Sequence, residues 1–428
     1  MIFENTIAYA QKMDDEDILK SFKNRFHIPI KNGNKVIYFC GNSLGLQANS
    51  TSQHLEKVLN DWANMGVEGH FMGDDSWATY HLKFQDLICP LLGALPNEIA
   101  VMNSLTANLH IMLAAFYRPN NKRFKIITES RNFSSDLYAL SSQVELHGLK
   151  PEQTIIEIPP SVGSDLYDEE KIIQLIEANK DSLSLVFLST VNYYTGQKLR
   201  VEKIAKAAKA AGAIIGLDLA HAIGNVSIEL HKAEVDFAVW CSYKYLNAGP
   251  GGVGGLYVHE KHTQKPNLIR PSGWWGNRSE DRFKMNKNFI PSLDANGFQL
   301  SNAPVISMAV QLASLQVFQE AGFNNLLYKS QHLTSYLLFL LKEKCIDTST
   351  PFKFKIITPL ALDQRGAQVS ILVIQDCPSL YELIKKNEFV IDMRANEVLR
   401  ITPVPLYNTF EEVYQFVEFF KKHAHLIQ

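Results

Sequence analysis

From about residue 98 onward, short unbroken apolar runs alternate with longer stretches whose apolar positions recur at helical spacing. EIAVMN, FKIITES, TIIEIP, LSLVFLS and AIIGLDLA read as strands. TANLHIMLAAFYR, SSDLYALSSQVELHG, DEEKIIQLIEANKDS and VEKIAKAAKAAG read as amphipathic helices between them. DFAVWCS and GGLYVH add two further strands. Strands apolar at nearly every position are covered on both faces, and strands joined through helices run parallel. The pattern predicts an α/β fold: a mostly parallel seven-stranded sheet with helices on both faces.

The rhythm changes on either side of that block. Residues 1–60 read as an arm with a short strand, KVIYFC, followed by a helical stretch around 49–65. Beyond residue 300 come two long helices, PVISMAVQLASLQVFQEAG and LLYKSQHLTSYLLFLLKEK. Strand candidates FKIITP, AQVSILVI and VLRITP and a closing helix, FEEVYQFVEFFKKH, suggest a smaller α+β domain. The expected division is an arm at 1–60 packing with the small domain, a large domain at 61–300 and the small domain at 301–428.

A length of 428 residues fits two or three domains. Apolar residues at 46%, charged residues at 20% and a net charge of −2 describe an ordinary globular protein. That balance speaks against nucleic-acid and membrane partners and for a small-molecule substrate. The N-terminus lacks a signal-peptide apolar core, and YLLFLL at 336–341 is far short of a membrane span. Five scattered cysteines without a CxxC pair speak against a disulfide framework and point to a reducing, cytoplasmic setting.

Residues 240–255, WCSYKYLNAGPGGVGG, carry the first chemical signal. Gly249, Gly251 and Gly254 spell G-x-G-x-x-G, but a dinucleotide loop must open a helix, and here strand-like GLYVH follows. The lysine in the middle, Lys244, is the more informative residue. Upstream, IIGLDLAHAIGN ends a strand in Asp218, with His221 close behind. Asp218 and His221 supply two metal ligands and no third, so no metal site is expected. A lysine can instead form a Schiff base with an aldehyde cofactor, and an acid can keep a pyridine nitrogen protonated. That pairing is the requirement of pyridoxal 5'-phosphate. Ser104 and Thr106 open a helix after EIAVMN and offer a phosphate site. Phe133, after FKIITES, offers an aromatic face for the ring. Taken singly, each residue has a plainer reading: Thr106 as a helix cap, Phe133 as core, Asp218 as a turn residue.

YFCGNSLGLQ, NSLTANLH, NFSSD, LSTVNYYTGQ, DLAHAIGN, CSYKYLNAGPGG, GWWGN, FQLSNAPV and LRITPVPLYN occur in this order along the chain. In sequence and order they resemble the kynureninases, fold-type I pyridoxal-phosphate enzymes related to class V aminotransferases. The resemblance runs almost end to end. It implies hydrolytic Cβ–Cγ cleavage of L-kynurenine or 3-hydroxy-L-kynurenine to an anthranilate and L-alanine, in tryptophan catabolism. It further implies that Lys244 bonds the cofactor, Asp218 pairs with the ring nitrogen, and Phe133 and Ala220 cover the ring faces. Leu105, Thr106 and Tyr243 would hold the phosphate. Ser134, Ser135, Asp136, Ser189 and His221 would complete the cofactor shell. Trp274 and Asn302 would reach it from a neighbouring subunit, which makes a homodimer with shared sites. Arg400 would clamp the substrate carboxylate, with Ser43, His70 and Asn302 also on the substrate. His70 and Asn302 favour acceptance of a 3-hydroxyl. Tyr243 is the candidate proton donor. Position 277 departs from the family's usual histidine: it is Asn277. Two rivals remain on the same scaffold. One is a cysteine desulfurase or selenocysteine lyase, for which Cys345 would be the nucleophile. The other is a non-catalytic binding protein, against which Lys244, Asp218 and Arg400 argue together.

Overall fold

The computed structural model describes residues 2–265, 267–346, 354–374 and 376–424. The chain opens on helix α1 (Ile7–Asp15), capped by the Thr6 hydroxyl, which accepts the Tyr9 N–H at 3.2 Å. This helix is short and mostly exposed, so its apolar periodicity is too weak to read. The predicted KVIYFC strand shrinks to β1 (Ile37–Tyr38), and the expected helix follows as α2 (Thr51–Met65).

The central block then alternates: β2 (Ile99–Val101), α3 (Leu105–Phe116), β3 (Lys125–Glu129), α4 (Ser134–Leu146), β4 (Ile155–Ile158), α5 (Glu169–Ala178), β5 (Leu183–Ser189), α6 (Val201–Ala210), β6 (Ile214–Asp218), β7 (Phe237–Trp240) and β8 (Gly255–Val258). These strands form one seven-stranded sheet in the order β2-β8-β7-β6-β5-β3-β4. β8 runs antiparallel to both neighbours, and the other strand pairs are parallel. The exception has a local cause. No helix lies between β7 and β8, so the chain doubles straight back instead of crossing over.

Alternate residues of each strand enter different cores. Val186 and Leu188 of β5 join one apolar cluster with Ile215 and Leu217, while Leu185 and Phe187 join another with Phe237 and Val239. Both faces are therefore packed, which is why the strands read as unbroken apolar runs. In α6, Val201, Ile204, Ala205 and Ala208 are buried, a single stripe at helical spacing, and its lysines lie outside.

The C-terminal part holds α7 (Val305–Ala321), α8 (Phe323–Leu341), β9 (Phe354–Ile356), β10 (Val369–Val373), β11 (Phe389–Val390), β12 (Asp392–Arg394), β13 (Val398–Ile401) and α9 (Phe410–Ala424). β9-β10-β13-β12 make an antiparallel sheet. The N-terminal segment docks here. β11 pairs in parallel with β1, and Asp14 accepts the Phe410 and Glu411 N–H groups at 2.7 and 2.9 Å, capping the start of α9.

Candidate functional site

Four strands of the large sheet end at one edge: β3 at Glu129, β5 at Ser189, β6 at Asp218 and β7 at Trp240. Helices α3 and α4 start at the same edge. Between them lies a cleft of about 460 Å³, lined by Leu105, Thr106, Phe133, Ser135, Asp136, Ser189, Asp218, Ala220, His221, Tyr243 and Lys244. The end of a parallel sheet is where α/β proteins bind ligands, because loops diverge there and helix N-termini converge.

Lys244 stands in the turn leaving β7. Its carbonyl accepts the Asn247 N–H at 3.1 Å, with Asn247 in the left-handed region at φ 52°. The GNSLG stretch packs against this turn: Gly45 donates to the Tyr243 carbonyl at 2.8 Å, and a Cβ on Gly45 would lie 2.3 Å from the Lys244 carbonyl oxygen. Lys244 Nζ lies 3.0 Å from His221 Nε2 and 5.8 Å from the centre of the Phe133 ring. Burial, reinforced by Lys244, holds the His221 pKa well below its ordinary value. The imidazole is therefore neutral, with Nε2 in hydrogen-bond contact with the lysine nitrogen.

Three carboxyls are buried beside it. The Asp218 carboxylate accepts the Ala220 N–H at 2.7 Å. Burial raises the Asp218 pKa while Lys244 pulls it down. Asp136 is raised well above the usual range by burial and then by Asp218. Like charges this close do not both ionise, so the pair shares a proton. Glu129 is pushed up to about 7 by burial, although it accepts the Ser189 N–H and hydroxyl, each at 2.8 Å.

Helix α3 supplies the anion end. Ser104 is extended and makes no side-chain cap bond, so the first-turn N–H groups are left for another acceptor. Gly254 passes close by: a Cβ there would lie 2.6 Å from the Trp240 carbonyl oxygen and 3.2 Å from Leu105 N. The glycines that imitate a nucleotide loop thus serve a turn and a close backbone approach, with β8 directly after them. These residues fit pyridoxal phosphate. A lysine suits the aldehyde, a buried acid suits the ring nitrogen, Phe133 suits the ring and a helix N-terminus suits the phosphate. Two buried atoms of cleft residues, Asp136 Oδ2 and His221 Nδ1, have no protein partner.

Not every sequence candidate joins this cleft within one chain. Ser134 is exposed, and Ser43 is half-buried outside the lining. His70 and Asn302 line a second cleft with Trp62, Trp77 and Ile306. Trp274 is 45% exposed and donates its indole N–H to the Arg282 carbonyl at 2.9 Å. Arg400 is fully buried, ion-paired with Asp392, and donates to the carbonyl of Tyr193, itself a cleft residue, at 2.8 Å. Asn277 serves the backbone: its side-chain oxygen accepts the Ile290 N–H at 2.9 Å and pins the following loop. Cys345 lies in a π-helical turn, Lys342–Ile346, where burial pushes its thiol up to about 12. That is an inert thiol and no nucleophile on a mobile loop. Glu129, Tyr193 and Cys241 also belong to the site region, although the sequence did not single them out. Glu129 ends a predicted strand just as Asp218 does, and that signal was available.

Two family models match the chain: "Aminotransferase class-V" over residues 45–348 and "Kynureninase C-terminal domain" over 326–420. A kynureninase of Flavobacterium psychrophilum is 47% identical over 422 residues, covering 99% of both chains. One from Myxococcus xanthus is 42% identical over 424 residues, covering 99% of this chain and 98% of its own. Among solved structures, the cystine C–S lyase C-DES in complex with cysteine persulfide superposes with TM-score 0.74 at 17% identity, covering 90% of this chain and 97% of its own. A cysteine desulfurase from Thermococcus onnurineus gives TM-score 0.72 at 18% identity, covering 92% and 95%. At these identities the structural likeness establishes the shared fold, whereas the full-length sequence relatives establish more: the chain belongs to the kynureninase family.

Proposed function

We propose that the protein is a pyridoxal-phosphate-dependent kynureninase, cleaving L-kynurenine and 3-hydroxy-L-kynurenine to the corresponding anthranilate and L-alanine. The observation that carries this reading is the meeting of Lys244, His221, Phe133 and Asp218 in one cleft beside the open N-terminus of α3. Bound there, pyridoxal phosphate supplies an electron sink for the bonds at the substrate's α-carbon and the carbon beyond it.

The chain's own residues do the rest. With pyridoxal phosphate bound, Lys244 would hold its aldehyde, and the lysine amine, when free, would take up the substrate's α-proton. Asp218 keeps the ring nitrogen protonated, its own charge stabilised by the Ala220 N–H. Phe133 and Ala220 fix the ring plane. Thr106 and the Leu105 N–H bind the phosphate, with Tyr243, Ser134 and Ser135 alongside. Arg400 binds the substrate carboxylate; its pairing with Asp392 keeps the guanidinium charged although buried. Water would add to the γ-carbonyl; as the Cβ–Cγ bond breaks, the water oxygen stays in the anthranilate carboxylate and the alanine β-carbon takes a proton. Tyr243 holds the proton for that exchange. Replacing it with Phe lowers kcat with the cofactor retained, and unchanged turnover would remove this role.

The reading extends to assembly. Phe71, Trp274 and Phe283 form a chain of edge contacts at 5.5 and 5.6 Å and are all exposed. Trp62 and Ile306, also exposed, line the neighbouring cleft with His70, whose ring lies 6.1 Å from that of Phe71, and an apolar surface of this kind is one that subunits cover. In a homodimer that face brings His70, Asn302 and Trp274 to the partner's cleft, and Ser43 joins the substrate shell. Division into an arm at 1–60, a cofactor domain at 61–300 and a small domain at 301–428 is supported by the separate seven-stranded and four-stranded sheets. A cytoplasmic location is supported by five cysteines that are all free; among the described residues no helix is long and apolar enough to cross a membrane. Incubation of the cofactor-loaded protein with L-kynurenine tests the activity. Anthranilate fluorescence is expected, and its absence refutes the reading. Comparison of kcat/KM with the 3-hydroxy substrate tests His70 and Asn302; a strong preference for plain kynurenine overturns the hydroxyl contact.

A further inference from the structure

At the opposite edge of the large sheet, Glu98, His231 and His259 come together from three separate segments: the turn before β2, the β6–β7 connection and the end of β8. Glu98 is fully buried, His259 is buried and His231 is partly exposed. Glu98 Oε1 lies 3.0 Å from His231 Nδ1 and 3.3 Å from His259 Nδ1, and all three atoms are within 4.8 Å of one another.

Hydrogen bonding accounts for part of this arrangement: Oε2 accepts the Leu95 N–H at 2.9 Å and Oε1 is in hydrogen-bond contact with His231 Nδ1, but the approach of His259 Nδ1 at 3.3 Å is left over. Oε1 already accepts the Glu260 N–H at 2.9 Å, and the Tyr257 hydroxyl stands at 3.5 Å. Four groups crowd one carboxylate oxygen that offers two lone-pair directions. His259 Nδ1 also accepts the Lys261 N–H at 3.2 Å, so this nitrogen carries a lone pair and no proton. Two acceptors, Nδ1 and Oε1, therefore face each other. A cation between them turns that repulsion into coordination, at the cost of the weak Lys261 contact and of the His231 Nδ1–H···Oε1 bond, whose proton leaves to solvent as the metal binds.

We propose that Glu98, His231 and His259 bind a divalent transition-metal ion of the zinc type. Two imidazoles and a carboxylate are a donor set that zinc accepts in tetrahedral geometry, with water in the fourth position. Bond lengths of about 2.1 Å put tetrahedral ligands about 3.4 Å apart, close to the two Glu98–histidine separations of 3.0 and 3.3 Å. The half-open His231 side provides entry. Lys261, two residues beyond His259, has its ammonium engaged by Asp236 at 2.9 Å. The site lies at the far edge of the sheet from Lys244, so its role is to tie three segments together.

The test uses the cofactor-loaded full chain, stripped with a chelator and dialysed. Zinc titration is expected to show one tight ion per chain and a melting temperature raised by a few degrees. Cobalt in its place is expected to show the visible band of a four-coordinate site. His231→Gln removes the tight ion and the band; His262→Gln, which alters a neighbouring histidine outside the cluster, keeps both. No tight ion in the parent protein overturns the proposal, as does unchanged binding in His231→Gln. If that variant does not fold, a six-coordinate cobalt spectrum or none in the parent protein overturns it equally. Kynurenine turnover is measured separately, so failure here leaves the proposed activity standing.

Discussion

The Lys244 cleft and the surroundings of Asp236, at opposite edges of the large sheet, bury acids in opposite ways. At the Lys244 edge, Asp218, Asp136 and Glu129 all have raised pKa values, because burial outweighs their partners. At the far edge, Asp236 is also buried, yet its pKa is lowered: it accepts from the Ile215 N–H at 2.8 Å, His262 at 2.6 Å and Lys261 at 2.9 Å. One edge leaves Asp136 Oδ2 and His221 Nδ1 without partners, whereas no buried side-chain atom of Asp236 or His262 is left unpaired. An acid whose bonds are complete holds a fold together. An acid with bonds to spare is ready for a ligand.

Substitutions separate these two kinds of acid. The largest effect is expected from Lys244→Ala: a loss of about a thousandfold or more in kcat, with the protein still folded. Anthranilate release and circular dichroism check it together. Asp218→Asn is expected to cost about a hundredfold or more in kcat, since the ring charge loses its counter-ion. Near-normal turnover in this variant breaks the contrast. Asp236→Asn should do the reverse: about 3 kcal/mol of stability lost, because a buried pair is broken, with kcat nearly unchanged. Denaturant unfolding and steady-state kinetics decide it. The sign with pH also differs. Asp236 has a depressed pKa, so its contribution is present above the ordinary carboxylate range and is lost as acid protonates it.

Glu129 has the opposite sign and the smallest expected effect. Its pKa rises from 4.5 to about 7. The native state of the cofactor-free protein therefore keeps a proton that the unfolded chain loses, and stability falls as pH rises across that window. Glu129→Gln keeps the acceptor for the Ser189 N–H and removes the titration. The melting temperature of the variant should vary less between pH 5 and 7.5 than that of the parent (pH values on the order of the window set by the shift). An equal slope in both proteins removes Glu129 as its source.

The same contrast explains what the sequence disclosed. Unbroken apolar runs betray a sheet packed on both faces, and strand ends then locate Asp218, Ser189 and Lys244. The hidden parts have weaker signals. α1 is short and exposed, and the Cys377–Lys386 helix is a single amphipathic run behind a proline. β1 has two residues and exists by pairing with β11, which lies near the other end of the chain. Arg400 was legible as a buried cation, but its partner Asp392 becomes meaningful only when β12 and β13 lie side by side. His70 and Asn302 line a cleft apart from that of Lys244, a separation that no spacing along the chain announces.

A Lys244 cleft that holds the cofactor through a reversible Schiff base and cleaves kynurenine must lose its activity as that bond is made permanent. Borohydride reduction of the cofactor-loaded protein, followed by peptide mapping and an anthranilate assay on the same sample, tests this most directly. The predicted result is a pyridoxyl label on Lys244 alone, with anthranilate formation lost in proportion to labelling. A label on another lysine, or full labelling of Lys244 with activity intact, contradicts it.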